Sequence, residues 1–450
     1  MNITLTRGLD IPISGEPSAF IDQGEPIEHV ALLGLDYIGL KPSMAVKEGD
    51  FVAAGALLFT DKQNPAVKFT APVSGEILAI NRGEKRKFES LVIKRQGDER
   101  LTFPTGNDKD EQRDAESIKT LLIDSGLWTS FRARPFGKIP APSSLPSSLF
   151  ITAMDSLPLA PPPEIIIADH AADFVSGLKI VQNLAPKTYL CSRQGTTIPG
   201  EDLQEIMSAK FAGPHPSGLP STHIHFLDPV GLGKEVWHIG YQDVIAIGSF
   251  FRTGSPDPSQ IIALCGPAVQ NPRLIKTIRG ASIIEACRHE SLPPRHRLLS
   301  GSVLTGHWAK GPHAYLGRYH NQICCLPEKD GSGFLNWLSL GRNRFSSLPV
   351  FLSALIRKYK GEEKIPMSTA AWGGRRAIFP VSTYEKVMPL NIIATALLKS
   401  LAVGNTEAAA SLGCLELVEE DLALCSFVCP GKNNFGPMLR DVLSKIEQDG

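Results

Sequence analysis

Short apolar runs alternate with Gly and Pro from residue 29 to residue 100, a rhythm that predicts closely spaced strands joined by tight turns. Its skeleton runs from Val46 through Gly49, Val52, Gly55 and Leu58, then Lys68 to Gly75 and Ile77, then Asn81 to Gly83. Beyond residue 101 the pattern changes to an α/β alternation. Ser148–Ala153 and Glu164–Ala168 read as buried strands, and Asp169–Leu184 places Phe174, Leu178 and Val181 on one helical face. Lys187–Ser192 reads as a further strand, Pro199–Met207 as a helix and His223–Leu227 as a strand. Gln260–Pro267 opens a third, smaller unit. Its later half, Leu298–His307, is an apolar strand and Gly turn of the β-grasp type. The remainder reads as mostly helical, with Asn391–Leu401 a strong helix after Pro389.

These patterns predict four units. Residues 29–100 form a flattened barrel-sandwich of the kind seen in biotinyl and lipoyl domains, with two strand-turn-strand halves closing on each other. Residues 1–28 with 101–255 form a Rossmann-like α/β domain with a mainly parallel sheet. Residues 256–329 form the β-grasp domain and residues 330–450 a helical domain. No Gly-x-Gly-x-x-Gly follows any predicted strand, so no dinucleotide fingerprint is present. Asp61-Lys62 resembles the modified pair of a lipoyl hairpin. The lysine follows Gly49 too closely to stand at an exposed hairpin tip, so a structural barrel is expected.

Composition narrows the class of protein. The 450 residues are 42% apolar and 20% charged, and 46 basic side chains balance 46 acidic ones, which gives no electrostatic case for nucleic acid. The basic run Arg82–Lys87 reads as a solvated hairpin face. Eight cysteines at irregular spacing fit a reducing compartment better than a disulfide framework. The N-terminus lacks a signal-peptide pattern. The uncharged run 387–398 is too short to span a bilayer, which takes about 20 residues. Residues 139–154 are uncharged but interrupted by prolines.

Three cysteines carry the most specific chemistry. Cys414, Cys425 and Cys429, with Pro430 directly after, match the tail of the Cys-x2-Cys-x2-Cys-x3-Cys-Pro run that holds a [4Fe–4S] cluster. The head of the run is replaced by an acidic, helix-like insert at 415–424, whose carboxylates are poor substitutes for soft sulfur ligands. The expectation is a degenerate iron–sulfur domain with buried thiols. Cys324 and Cys325 are adjacent and also read as buried thiols. His223 and His225, alternating on a predicted strand, could face a metal or a polar interface. No thiolate or carboxylate joins them at ligand spacing, and no metal is expected. Neither a nucleophile elbow, a His-Glu-x-x-His pair nor a Walker A loop appears, and no catalytic residue is assigned.

Long words in a fixed order then point to a family. They include Gly8–Gly15, His29–Gly34, Arg134–Pro140, Gly213–Leu219, Thr222–Phe226, Tyr241–Gly248, Tyr315–Gln322, Tyr384–Leu390 and Cys414–Lys432. Across essentially its whole length the chain resembles the A subunit of the bacterial sodium-translocating NADH:quinone reductases (Nqr). That family is in turn distantly similar to the flavin- and NADH-binding subunit of complex I and to one component of the Rnf complex. The resemblance implies a complex that passes electrons from NADH through FAD, a [2Fe–2S] centre, FMN and riboflavin to ubiquinone while exporting sodium. It implies a peripheral subunit on the cytoplasmic face of the inner membrane, bound to the other Nqr subunits (B to F) and holding no cofactor firmly.

Where the distant relatives carry a glycine-rich flavin loop, this chain reads Gly126-Leu-Trp-Thr-Ser-Phe-Arg-Ala-Arg-Pro-Phe136, with Trp128, Phe131, Arg132 and Arg134 in place of glycines. Tight FMN binding is not expected there. The same loop, through Phe131, Arg134, Phe136 and Lys138, is either a quinone contact or a surface that docks on partner subunits. A freestanding flavin-dependent dehydrogenase or a lipoyl-type carrier is the alternative reading of the whole chain.

Overall fold

The computed structural model describes residues 1–105, 114–329, 345, 364–370 and 374–449. Strand-rich residues after 29 close into two antiparallel sheets. One runs His29–Leu33, Phe88–Arg95, Gly75–Arg82, Phe51–Val52. The other runs Pro42–Met44, Leu57–Asp61, Lys68–Thr70. Phe59 joins them, stacking on Phe69 at 4.6 Å within its own sheet and meeting Phe88 of the other edge-on at 5.4 Å. Lys62 is exposed, as the first residue after its strand, with its N–H bonded to the Lys41 carbonyl. It therefore sits at the foot of its loop. Residues 84–87 form an exposed turn between two long strands, the expected hairpin face.

A six-stranded sheet follows, in the order Asn2–Thr4, Ile206–Ala212, Thr188–Arg193, Leu149–Ala153, Val236–Gly240, Arg132–Arg134. The first five strands are parallel and the last is an antiparallel edge. Its helices Ala171–Val181 and Tyr241–Thr253 pack closely enough that Gly177 and Gly248 have no room for a side chain.

Three expected elements change type here. Glu164–Ala168 and His223–Leu227, which apolar content marks as strands, both lie in helices, Pro163–Asp169 and Pro220–Leu227. Short apolar runs carry no decisive period; a proline in the first turn, whose missing N–H costs a helix nothing there, does. Pro199–Met207, expected as a helix, is a turn followed by the strand Ile206–Ala212. Gly200 takes the left-handed φ of 85°, which stops a helix at that point.

The third unit is a mixed sheet ordered His307–Trp308, His296–Ser300, Gln322–Pro327, Ser259–Cys265, Arg273–Ile278, Ser18–Asp22. Residues 1–28 thus divide: Asn2–Thr4 joins the parallel sheet and Ser18–Asp22 joins this one. The C-terminal part contains the helices Thr383–Val387, Ala394–Ala402, Thr406–Ser411, Ala423–Val428 and Phe435–Asp449. The expected helix at 415–424 is two short 3-10 turns, Cys414–Glu416 and Glu419–Leu422. Most of 330–363, expected as helical, lies outside the described residues. Among the described residues no helix is long and apolar enough to cross a membrane.

Candidate functional site

The loop that begins at Gly126 is built from both neighbours. Gly126 adopts a φ of 80° after the helix Ala115–Asp124, and a Cβ there would collide with the Thr70 hydroxyl of the barrel. Leu127–Ser130 then makes a 3-10 turn that leads into the edge strand Arg132–Arg134. The turn buries Trp128 completely; its indole N–H donates to the Pro140 carbonyl at 2.9 Å, and its ring lies 5.3 Å from Phe131 and 5.3 Å from Trp237. Phe131 is the third member of that aromatic core, with no exposed surface. The glycine-to-aromatic replacements read from the sequence thus fill interior space, and the loop holds no glycine-lined cradle for a phosphate.

Arg134 is also buried, at 1% exposure. Its Nη1 donates to Ser221 Oγ at 2.6 Å, its Nη2 approaches Glu420 Oε1 at 3.4 Å and its Nε donates to His238 Nε2 at 3.3 Å. Burial lowers the Arg134 pKa, and the carboxylates of Asp421 and Glu420 oppose that shift. Burial first, and Arg134 second, hold His238 well below the imidazole range, so its Nε2 is free to accept. Asp421 is pushed up to about 6 by burial, against the pull of Arg134. It also accepts from the Val418 N–H at 2.7 Å. The guanidinium is therefore committed to fastening the α/β sheet to the C-terminal helices.

Phe136 and Lys138 go the other way. They border a cavity of about 260 Å³ whose opposite wall is the barrel, through Asn64, Val67 and Phe69. Lys138 Nζ pairs with Glu447 Oε1 at 2.7 Å, and Arg440 Nη1 donates to the Phe136 carbonyl at 2.8 Å. Arg440 itself forks onto Glu419 at 2.6 and 2.7 Å. So the structure does not bring Phe131, Arg134, Phe136 and Lys138 to one surface. Phe131 belongs to the interior, while Arg134, itself buried, borders with Phe136 and Lys138 a cavity whose walls carry aromatic, aliphatic, amide and carboxylate side chains. Sequence reading missed the barrel half of that cavity and the Ser221, Glu420 and Asp421 clamp. The one signal for it was the acidic insert at 415–424, with Glu416, Glu419, Glu420 and Asp421 set among apolar residues.

The other candidates resolve locally. His223, buried on its helix, bonds the Ser217 carbonyl at 3.0 Å; His225 pairs with Glu416 at 2.6 Å. Their helix and separate partners leave no shared metal face. All eight cysteines are free and buried. Burial pushes Cys425 up to about 12 and Cys414 to about 11, so both stand as thiols. Burial would also raise Cys429, but hydrogen bonds with the Tyr384 hydroxyl at 3.1 Å and the Asn433 amides at 3.5 Å outweigh it and lower its pKa. Cys414, Cys425 and Cys429 are packed as compact side chains in the core of the C-terminal part.

Comparison with known proteins matches three segments of the chain. Residues 3–96 match the NqrA N-terminal barrel-sandwich hybrid domain, 113–256 the NqrA second alpha/beta domain and 261–311 the SLBB-type C-terminal domain of NqrA. Among curated proteins, the A subunit of the Na(+)-translocating NADH-quinone reductase of Pseudomonas aeruginosa strain PAO1 is 51% identical over 449 residues, covering 100% of both chains. The corresponding proteins of Histophilus somni strain 2336 and Actinobacillus pleuropneumoniae serotype 5b are 47% and 48% identical, again over 100% of both chains. A solved NAD+-reducing [NiFe]-hydrogenase is 12% identical over 75% of this chain and 61% of its own, with a TM-score of 0.38, too low to show a shared fold. Identity near one half across the full length of both chains establishes the kinship: this chain belongs to the NqrA family, the A subunits of the Na+-translocating NADH-quinone reductases.

Proposed function

We propose that the chain is the non-spanning A subunit of a sodium-pumping NADH:quinone reductase, seated on the cytoplasmic face of the inner membrane against the other Nqr subunits (B to F). The observation that carries this reading is the 51% identity to a curated family member along the whole of both chains. In this reading the redox groups of the complex, FAD, FMN, riboflavin and a [2Fe–2S] centre, are held by partner subunits. Trp128 and Phe131, packed where a flavin cradle would need glycines, support that division of labour. The role of the chain is to position its partners.

The cavity between the barrel and residues 133–141 is where it would meet quinone. Phe136 offers an aromatic ring, and Lys138 and Asn64 offer donors for quinone carbonyls. In the assembled complex, a photoreactive ubiquinone analogue should label peptides around Phe136 and Lys138, and Phe136→Ala with Lys138→Ala should reduce that labelling and raise the quinone KM. Labelling that is unaffected by both changes removes the quinone assignment; failure of the chain to co-purify with membrane subunits removes the assignment to the complex.

A further inference from the structure

The rim of the cavity at Phe136 continues into two loops. Ala141 and Glu235 line the cavity, and each belongs to a surface segment, 141–147 and 229–235. Hydrogen bonds fasten these segments to each other: Ser144 Oγ donates to Glu235 Oε1 at 2.8 Å, and the Ser147 N–H donates to the Glu235 carbonyl at 2.8 Å. Lys234 ties the second segment down through Asp228 and the Pro229 carbonyl.

Each loop turns a leucine to solvent. Leu145 is 79% exposed and Leu232 is 68% exposed. Leu232 stands at the tip of a tight turn closed by the Gly231–Lys234 bridge. A Cβ on Gly231 or Gly233 would meet nothing within 4 Å, so this tip stands clear of the rest of the molecule. Single exposed leucines are ordinary on a protein surface. Two of them, on loops bonded to each other beside the mouth of one cavity, make an apolar pair held in place by the fold.

The charges around the pair fit the same use. Residues 139–147 and 229–233 carry no charged side chain, so the loops leave water at little electrostatic cost. On the barrel side, Lys41 and Lys62, each next in sequence to residues that line the cavity, are exposed and make no ion pair among the described residues. The carboxylates of the rim are engaged within the chain: Asp61 by the N–H groups of Lys41 and Gln63, Glu235 by Ser144 and Trp237, and Glu447 by Lys138. Leucines that project, with unpaired lysines set beside them, suit the interfacial layer of a bilayer. A two-residue turn tip has little area for the complementary packing that a protein interface needs, but it can dip into a fluid layer. The cavity beside it, on the quinone reading given above, takes a ligand that dissolves in lipid, and its mouth then has to face the phase that supplies it.

We propose that this rim touches the lipid bilayer directly, with Leu145 and Leu232 entering the boundary between headgroups and acyl chains and Lys41 and Lys62 holding anionic headgroups. The inference rests on the quinone reading for the direction in which the cavity opens, and its test is kept free of quinone. The full-length chain is floated with vesicles of phosphatidylethanolamine and phosphatidylglycerol that contain no quinone. Reversible binding is expected. The double variant Leu145→Ser, Leu232→Ser should bind about tenfold or more weakly, and its melting temperature should match the wild type because both side chains are exposed. Lys41→Gln and Lys62→Gln should each weaken binding about fivefold, and their effect should vanish on vesicles of phosphatidylethanolamine and phosphatidylcholine alone. Leu145→Trp supplies a second readout, an emission quenched by lipids brominated on the acyl chain. The absence of vesicle binding, or equal binding by the wild type and the double leucine variant, overturns the proposal. Loss of membrane subunits from the leucine variant, with no vesicle binding by the wild type, would also overturn it and make the rim a protein interface. Failure of quinone labelling with vesicle binding intact would remove the quinone reading alone.

Discussion

The guanidinium of Arg134 and the carboxylate of Asp421 lie 3.8 Å apart, and the Ser221 hydroxyl between them bonds to each at 2.6 Å. Three segments far apart in sequence meet in that chain of contacts: an edge strand, a helix of the α/β unit and a 3-10 turn of the C-terminal part. Arg134→Met should therefore leave Asp421 and Glu420 beside each other without a cation, at a cost of about 3–5 kcal/mol. Urea unfolding checks the magnitude, and limited proteolysis should show the C-terminal helices released first. A midpoint equal to that of the wild type would mean that the clamp carries no stability.

Phe131 and Phe136 are five residues apart and should behave differently. Phe131→Ala opens a void among Trp128 and Trp237 and should cost about 3–5 kcal/mol. Phe136→Ala, half-buried on a cavity wall, should cost clearly less while weakening quinone labelling in the complex. Melting curves of the two variants side by side decide it, and the reverse order of damage would contradict their difference in burial.

His223 gives a pH signature. Burial lowers its pKa to about 4, opposed by its bond to the Ser217 carbonyl. The unfolded imidazole takes a proton near 6.5, so the unfolded state binds more protons between those values and stability falls as pH drops from 6.5 to 4. The loss from this one residue is about 3 kcal/mol. Urea midpoints of the wild type and of His223→Gln, compared across that window, should converge as the pH falls. A constant difference would rule out a buried neutral His223, because other buried groups act equally on both proteins.

Gly248→Ala should destabilise the α/β unit although alanine is the better helix former. A methyl group there meets the Asp173 carbonyl oxygen of the facing helix, and the two helices must separate. Thermal melting is expected to show a loss of about 1–3 kcal/mol, the usual range for overpacking. A stabilised variant would show that the helices can slide apart freely.

The larger architecture was legible because its signals are local. Gly and Pro punctuation marks the barrel, and the largely apolar run Leu149–Ala153 marks a central parallel strand. Elements whose type depends on one turn residue were not legible from apolar content. Pro163 and Pro220 start helices where strands were expected, and Gly200 stops one where a helix was expected. The candidate site was half legible. Arg134, Phe136 and Lys138 border one cavity, but Phe131 turns inward and Arg134 is buried, and strand alternation alone could not say which side of the edge strand would be covered by Glu420 and Asp421. That depends on a segment 286 residues away, for which one sequence carries no pairing information.

The loop at Phe136 is held by Arg440, a separation of 304 residues, and Lys138 by Glu447 on the same helix. During synthesis the barrel and the parallel sheet emerge long before that helix exists. Domains generally fold as they leave the ribosome, N-terminal first. The barrel wall of the cavity is then in place early, while the loop opposite it waits without its anchors. The pocket is completed last, by a helix that contributes Glu447 to its rim, so a ribosome stalled shortly before Phe435 would carry a chain with a formed barrel and an unfinished site.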